Sequence, residues 1–299
     1  MIEASGLNGK YDKALEKGNN MGIGEDKLTD TLEWLEDDLK MEVNDDNDEI
    51  PLNREGARVV YTLNPRELKF FPLSISAIAK IFYAAGEDWT ISTRVYDVTN
   101  YAYFSGDDRG ALELSRRHSK EVERLGSKLI AWGECGHGYR SYRWEGPNWM
   151  RENCPVDSVS IPEFLAEYIR TGSVKPDPSL NKKLTTLHDP CNLVRSGGIV
   201  EEQRYILRNS VTNFVEMTPN RENNYCCGGG GGQLAMGEYA DRRIKARKVK
   251  ADQISRTGAS FVATPCHSCI DQIMELNHHY KLNIEIKTIG EIVADAIIL

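Results

Sequence analysis

The sequence predicts an α/β protein of two pseudo-repeated lobes with parallel-sheet, Rossmann-like character, behind a helical, acidic lead-in. Three observations predict it. From about residue 54 onward, short apolar runs alternate with amphipathic stretches, the pattern of layered α/β architecture. Three landmarks recur in the same order in both halves. A Pro-rich stretch over 171–179 reads as the joint between them. The expected domains are a lead-in over 1–53, a degenerate first lobe over 54–172 and a cysteine-rich lobe over 181–299.

Residues 1–50 carry 15 acidic and 5 basic side chains, against 30 and 32 in the remainder, so the formal charge of −8 belongs to the lead-in. Leu28, Leu32, Leu35 and Leu39 form a helical stripe there. That stripe can dock a helix, but the segment is too polar to build a core alone. In the first lobe, 58–63 and 129–132 read as strands, and 74–85 and 111–128 as helices. In the second, 184–187 and 261–264 read as strands, and 201–210, 233–257 and 270–280 as helices. Trp132, Trp144 and Trp149 read as core.

The overlay of the halves is specific. Cys135 stands opposite Cys266, each just after a strand. Phe104-Ser105-Gly106 stands opposite Cys226-Cys227-Gly228, and Phe71-Pro72-Leu73 opposite Asp189-Pro190-Cys191. Leu73, Phe104, Ser105 and Gly138 then occupy the places of Cys191, Cys226, Cys227 and Cys269, as in a duplicate that has lost its ligands.

Composition narrows the function. With 40% apolar residues the chain is not globally disordered. No apolar run approaches the roughly 18 residues that span a bilayer, and the first 30 residues show no basic-then-apolar leader. A cytoplasmic location is expected. Outside the lead-in the balance is near neutral, which gives no case for nucleic acid as a partner. Arg242, Arg243, Lys245, Arg247, Lys248 and Lys250 crowd one short stretch. They read as a solvated helix face, or as a docking patch for an acidic partner. Seven cysteines, an odd number without a leader, argue against a disulfide framework. Cys154, before Pro155, reads as an isolated core cysteine.

The other cysteines suggest chemistry. Cys191, Cys226, Cys227, Cys266 and Cys269 all fall in the second lobe, beside strands or in loops. Loops that follow parallel strands gather on one sheet edge, where ligands bind. Cys266-x-x-Cys269 precedes a helix, whose first amides favour thiolate, the form that binds metal. Gly228, Gly229 and Gly230 open a run of five glycines, whose N–H groups can close on an anion. An iron–sulfur core ringed by thiolates is such an anion. Zinc takes four ligands and rarely adjacent cysteines. A bare dithiol needs only two cysteines, and a phosphate cradle would want a Gly-Lys-Ser/Thr ending that is absent.

The spacing Cys-x(n)-Cys-Cys-Gly-x(m)-Cys-x-x-Cys resembles the cysteine-rich (CCG) domain of the heterodisulfide reductase catalytic subunit and its relatives. Gly18-Asn19-Asn20-Met21-Gly22, Ala84-Ala85-Gly86-Glu87-Asp88-Trp89, Phe104-Ser105-Gly106-Asp107-Asp108, Gly133-Glu134-Cys135-Gly136-His137-Gly138-Tyr139 and His188-Asp189-Pro190-Cys191-Asn192 extend the likeness. They draw it toward the C-terminal part of the DsrK family, iron–sulfur subunits of the membrane complex associated with dissimilatory sulfite reduction. The resemblance implies a [4Fe–4S] centre, of the noncubane type, held by the five cysteines. It implies reduction (or oxidation) of a protein disulfide or trisulfide, the substrate being a small cysteine-bearing, DsrC-like sulfur carrier. It implies membrane-complex partner subunits and a peripheral place at the inner membrane. DsrK-like proteins also carry an N-terminal ferredoxin domain with two Cys-x-x-Cys-x-x-Cys-x-x-x-Cys runs, which this sequence does not contain. The expectation is a truncated or split form relying on a ferredoxin-type domain or subunit. Glycolate- or lactate-oxidase iron–sulfur subunits are an alternative, but they keep two cysteine-complete repeats. A non-catalytic electron-relay or docking subunit is another.

Disulfide cleavage takes two electrons, whereas iron–sulfur centres usually deliver one at a time, so the half-reduced sulfur must be held. His188 and His267, near the ligands, are candidates to protonate a leaving thiolate. Arg195 can offset centre charge or meet a carboxylate tail, and Cys135 and His137 are candidates to line the substrate pocket.

Overall fold

A computed structural model describes residues 5–46, 48–151 and 155–299, with side chains from residue 9. Cys154 lies outside the described residues. Contacts divide the chain into two compact units. The first comprises Met1–Gly133, His137–Ile161 and Leu299; the second comprises Glu134–Gly136 and Pro162–Ile298.

The first unit is built on four parallel strands in the order β2-β1-β3-β4: β1 Val59–Thr62, β2 Trp89–Thr90, β3 Leu129–Trp132 and β4 Asp157–Ser160. The second repeats this order as β6-β5-β7-β8, with β5 Thr185–Leu187, β6 Phe214–Val215, β7 Phe261–Ala263 and β8 Glu285–Lys287. Neighbouring strands in both sheets run parallel, which requires crossover connections and covered faces. The protein is thus α/β, with two lobes of Rossmann-like character.

Register corrects one part of the overlay. Thr62 pairs with Trp132 in the first sheet, and Leu187 with Ala263 in the second. Cys135 and Cys266 each lie three residues past those partners, as expected. Two residues past Thr62 and Leu187 stand Asn64-Pro65 and Asp189-Pro190. Arg66, not Leu73, therefore occupies the place of Cys191.

The lead-in folds onto the first sheet's unit. Helix Glu25–Val43 buries Leu28, Leu32, Leu35, Leu39 and Val43. Gly18 has φ +73, and a Cβ there would lie 2.3 Å from the Arg94 carbonyl oxygen. Asn20 donates to Asp97 Oδ2 from its backbone N (2.7 Å) and its Nδ2 (2.8 Å). Helix Asp108–Arg124 begins three residues before its apolar pattern, because Asp107 accepts from the amides of Arg109 and Gly110.

Other expectations change on folding. The long helix expected over 233–257 is broken into 3₁₀ turns, Gln233–Ala235 and Gly237–Tyr239, and two helices, Ala240–Ala246 and Lys248–Thr257. Met236 is non-helical and Gly237 follows it, a weak point for any helix. Trp132 is buried, as expected, but Trp144 is 49% exposed. The basic run is not one solvated face: Arg243 and Lys250 are buried, and Arg243 pairs with Glu275.

Candidate metal centre

Each expected ligand of the second unit comes from the segment after a strand. β5 runs into His188-Asp189-Pro190-Cys191, where the amides of Leu193 and Val194 close on the Pro190 carbonyl at 3.1 and 2.8 Å. Buried Arg204 holds this loop through two bonds of 2.9 Å to the Asp189 carboxylate, and also grips Glu216 at 2.8 Å. The segment after β6 delivers Cys226 and Cys227. Arg195 ties it down by donating to the carbonyls of Glu222 (2.7 Å) and Asn224 (2.5 Å). Its guanidinium thus braces the loop that enters the site. After β7, Cys266 caps helix His267–Tyr280 and Cys269 sits in its first turn.

The sulfurs converge. Cys191 and Cys226 Sγ lie 3.8 Å apart, and Cys227 and Cys269 Sγ 3.2 Å apart. All five are free thiols. Cys227, Cys266 and Cys269 are buried, within a core that includes Met217, Ile254, Val262 and Ile273. Cys191 and Cys226 are half-buried and form the open edge.

Backbone amides point at these sulfurs. Gly228 N donates to Cys226 Sγ at 3.3 Å, and Gly229 N to Cys227 Sγ at 3.4 Å. Gly229 must be glycine, since a Cβ would lie 2.6 Å from the Ser268 carbonyl oxygen and 2.9 Å from Gln272 Cβ. The Gly136 amide donates to Cys266, and a Cβ on Gly136 would strike the Leu193 backbone N at 2.6 Å. Sequence reasoning did not assign Gly136 to the site, although the glycine just after Cys135 was a signal for close approach.

Proton sharing among the thiols divides them. Cys226 is held well below the ordinary thiol range, chiefly by its bond with Cys191, while Cys191 is pushed up by the same bond and by burial. Cys266 is lowered through its bond with Cys269, whose own thiol rises through its bonds with Cys227 and Cys266. Cys227 is likewise pushed up, first by Cys226. Five crowded thiols cannot all ionise without cations between them. The donor set, the aimed amides and the burial of Cys227, Cys266 and Cys269 fit a thiolate-bound metal cluster.

His188 is fully buried, with a ring nitrogen and the sulfurs of Cys227 and Cys269 all within 4.8 Å of one another. Burial and the charge of Lys250 push its pKa well down. His267 is buried, and its amide donates to the Glu134 carbonyl at 3.1 Å. The Glu134 carboxylate accepts from the amides of Ile289 (2.8 Å) and Gly290 (3.2 Å), and burial raises it to about 7. Cys135 is buried in the second unit. His137 belongs to the first, where its Nε2 lies 2.9 Å from the Asn100 carbonyl oxygen and its ring packs on Phe104; burial lowers it to about 4.

Residues 185–274 match the family model of the CCG cysteine-rich domain, a span that encloses all five converging sulfurs. The chain carries a CCG domain of the heterodisulfide reductase type. The Hdr-like menaquinol oxidoreductase iron-sulfur subunit of Archaeoglobus profundus is 26% identical, over 100% of this chain and 62% of that one. Its counterpart, subunit 2, of Archaeoglobus fulgidus is 31% identical over 70% of this chain and 44% of its own length. The dihydromethanophenazine:CoB–CoM heterodisulfide reductase of Methanosarcina mazei has a subunit that is 31% identical over 62% of this chain and 44% of that one. The CCG chain thus spans from 44% to 62% of these relatives. No helix among its described residues is long and apolar enough to cross a membrane.

Proposed function

We propose that this chain is the iron–sulfur subunit of an oxidoreductase that reduces, or in reverse forms, a protein disulfide or trisulfide. Cys191, Cys226, Cys227, Cys266 and Cys269 would hold a [4Fe–4S] centre of the noncubane type. The observation that carries the reading is the convergence of five free thiols from three loops, with backbone amides aimed at Cys226, Cys227 and Cys266. Such a centre supplies single electrons and iron sites with affinity for sulfur.

The chain's own residues account for the rest. Cys227, Cys266 and Cys269 exclude water from the inner side, so substrate sulfur approaches past the half-buried Cys191 and Cys226. Amide donors at glycines 228, 229 and 136 stabilise negative charge on sulfur without a titratable proton. In this reading His267 serves the departing thiolate, while His188, buried against Cys227 and Cys269, lies on the side away from the incoming substrate, and a DsrC-like carrier with exposed cysteines is the partner. Electrons pass through a ferredoxin-type domain or subunit and the membrane complex. Two relatives are named as menaquinol oxidoreductase subunits and one as a heterodisulfide reductase subunit, which supports a redox subunit working with such partners. Of the positions opposite the five ligands, the first repeat keeps a cysteine only at Cys135, which favours a single centre over the two cysteine-complete repeats of glycolate-oxidase-type subunits.

Anaerobic iron and sulfide analysis with visible absorption tests this on wild type, Cys227→Ala and Cys154→Ala. About four irons per chain are expected, lost in the first variant and kept in the second. A colourless anaerobic preparation overturns the reading. An EPR signal of the oxidised centre that ignores added substrate thiol overturns its sulfur-binding part.

A further inference from the structure

The basic run over 242–250 separates on folding. Lys248 is exposed and pairs with Asp252, whereas Lys250, two residues on, has no exposure at all. Its ammonium donates to Asn224 Oδ1 (2.8 Å), to Gln253 Oε1 and weakly to Met217 Sδ (3.7 Å). None of these partners is charged. A buried ammonium with only neutral partners is costly unless an anion lies near. Its ammonium lies close enough to Cys227, Cys269, Asp189 and Cys226 to feel negative charge placed on them, and Asp189 is already engaged by Arg204.

The contact with Asn224 has a chemical consequence. An ammonium can only donate, so the face that Asn224 turns to Lys250 must be its carbonyl oxygen. Its amide nitrogen therefore faces the other way. There it donates to the Asp189 carbonyl oxygen (2.9 Å) and meets His188 Nδ1 (3.3 Å). An amide NH₂ cannot accept, so Nδ1 must be the accepting nitrogen and the imidazole proton resides on Nε2. That Nε2 is buried and has no hydrogen-bond partner, in a ring that lies against the sulfurs of Cys227 and Cys269.

We propose that Lys250 and Asn224 are positioning residues that lock His188 as its Nε2–H tautomer, so that it donates a hydrogen bond to the sulfur centre and raises its reduction potential. The inference rests on the five-cysteine centre proposed above. A fixed N–H donor and a buried positive charge both favour the more negative, reduced state. The orphaned nitrogen then has its acceptor, and the buried ammonium its counter-charge.

The test is an EPR-monitored redox titration of the anaerobically purified full chain. It compares wild type, Lys250→Met, His188→Phe, the double variant and Lys248→Met, with iron content measured for each. Lys250→Met and His188→Phe are each expected to disfavour reduction at least tenfold, a fall of about 59 mV for one electron. Lys248→Met, on the same helix but exposed, is expected to keep the wild-type value. The double variant is expected to shift by less than the sum of the singles, because Lys250 acts through His188. Lys250→Met with full iron and an unshifted potential overturns the inference, and strict additivity overturns the relay. Should Lys250→Met not fold, an unshifted His188→Phe overturns it alone. Wild type without iron overturns the centre itself, and this inference with it.

Discussion

Arg204 and Asp189 meet through two parallel hydrogen bonds of 2.9 Å, with both side chains almost completely buried. Asp189 also accepts from the Arg221 amide at 2.7 Å. The pair therefore fixes the loop bearing His188 and Cys191 against the chain that leads to Cys226. Asp189→Ala leaves a buried guanidinium short of its partner, and a loss of about 3–5 kcal/mol is expected. Chemical denaturation of the apo chain measures it. Arg204→Met with Asp189→Leu, which removes both charges, is expected to cost less than Asp189→Ala alone.

Gly229 passes so close to helix His267–Tyr280 that an added Cβ would meet the Ser268 carbonyl oxygen at 2.6 Å. Gly229→Ala must move the loop or the helix, and with it the amide that points at Cys227. A loss of about 1–3 kcal/mol and a reduced iron content are expected. Gly231→Ala is the comparison: no heavy atom lies within 4 Å of its added Cβ, although its φ of +66 still carries strain. Equal iron retention in the two variants would show that close approach at Gly229 is unimportant.

Glu134 gives stability a pH dependence of unusual sign for a carboxylate. Burial raises its pKa from 4.5 to about 7 in the folded chain, so the folded state binds more protons than the unfolded state between those values. Its contribution is complete below about pH 4.5 and is lost as pH rises to about 7. The size is on the order of 3 kcal/mol. Thermal melts of the apo chain across this window are expected to show it, and Glu134→Gln to flatten that component of the slope.

Asn20 places two donors on Asp97 Oδ2 and reaches Thr99 Oγ1 at 2.9 Å. Asn20→Ala removes the side-chain donor and leaves the buried carboxylate less satisfied. A loss of about 1.5–3 kcal/mol is expected, with faster proteolysis near residues 17–23. Unchanged protease resistance would mean that this polar contact does not hold the lead-in.

The four central strands were legible because they are short apolar runs. The four edge strands were not. β2 and β6 have only two residues each, and β4 and β8 are only partly buried, so they carry no distinct apolar run. Their pairing comes from the sheet, not from local pattern. The break at Met236-Gly237 was missed for a related reason: helical periodicity continues across a residue whose backbone leaves the helix. The repeat landmark at Leu73 failed because two proline-containing turns look alike in sequence, and only strand register shows that Arg66 is the counterpart of Cys191.

By itself the sequence determined the α/β class, the repeated order of elements and the identity of five cysteines whose spacing suits one metal centre. These are local quantities, set by residue type and interval. Only the tertiary structure decided that Gly136 sends its amide to Cys266, that Arg195 braces a loop, and that Lys250 is buried among amides while Lys248 is in water. Burial and hydrogen-bond direction depend on residues far apart in the chain, and one basic run reads the same whether a given lysine faces solvent or the protein interior.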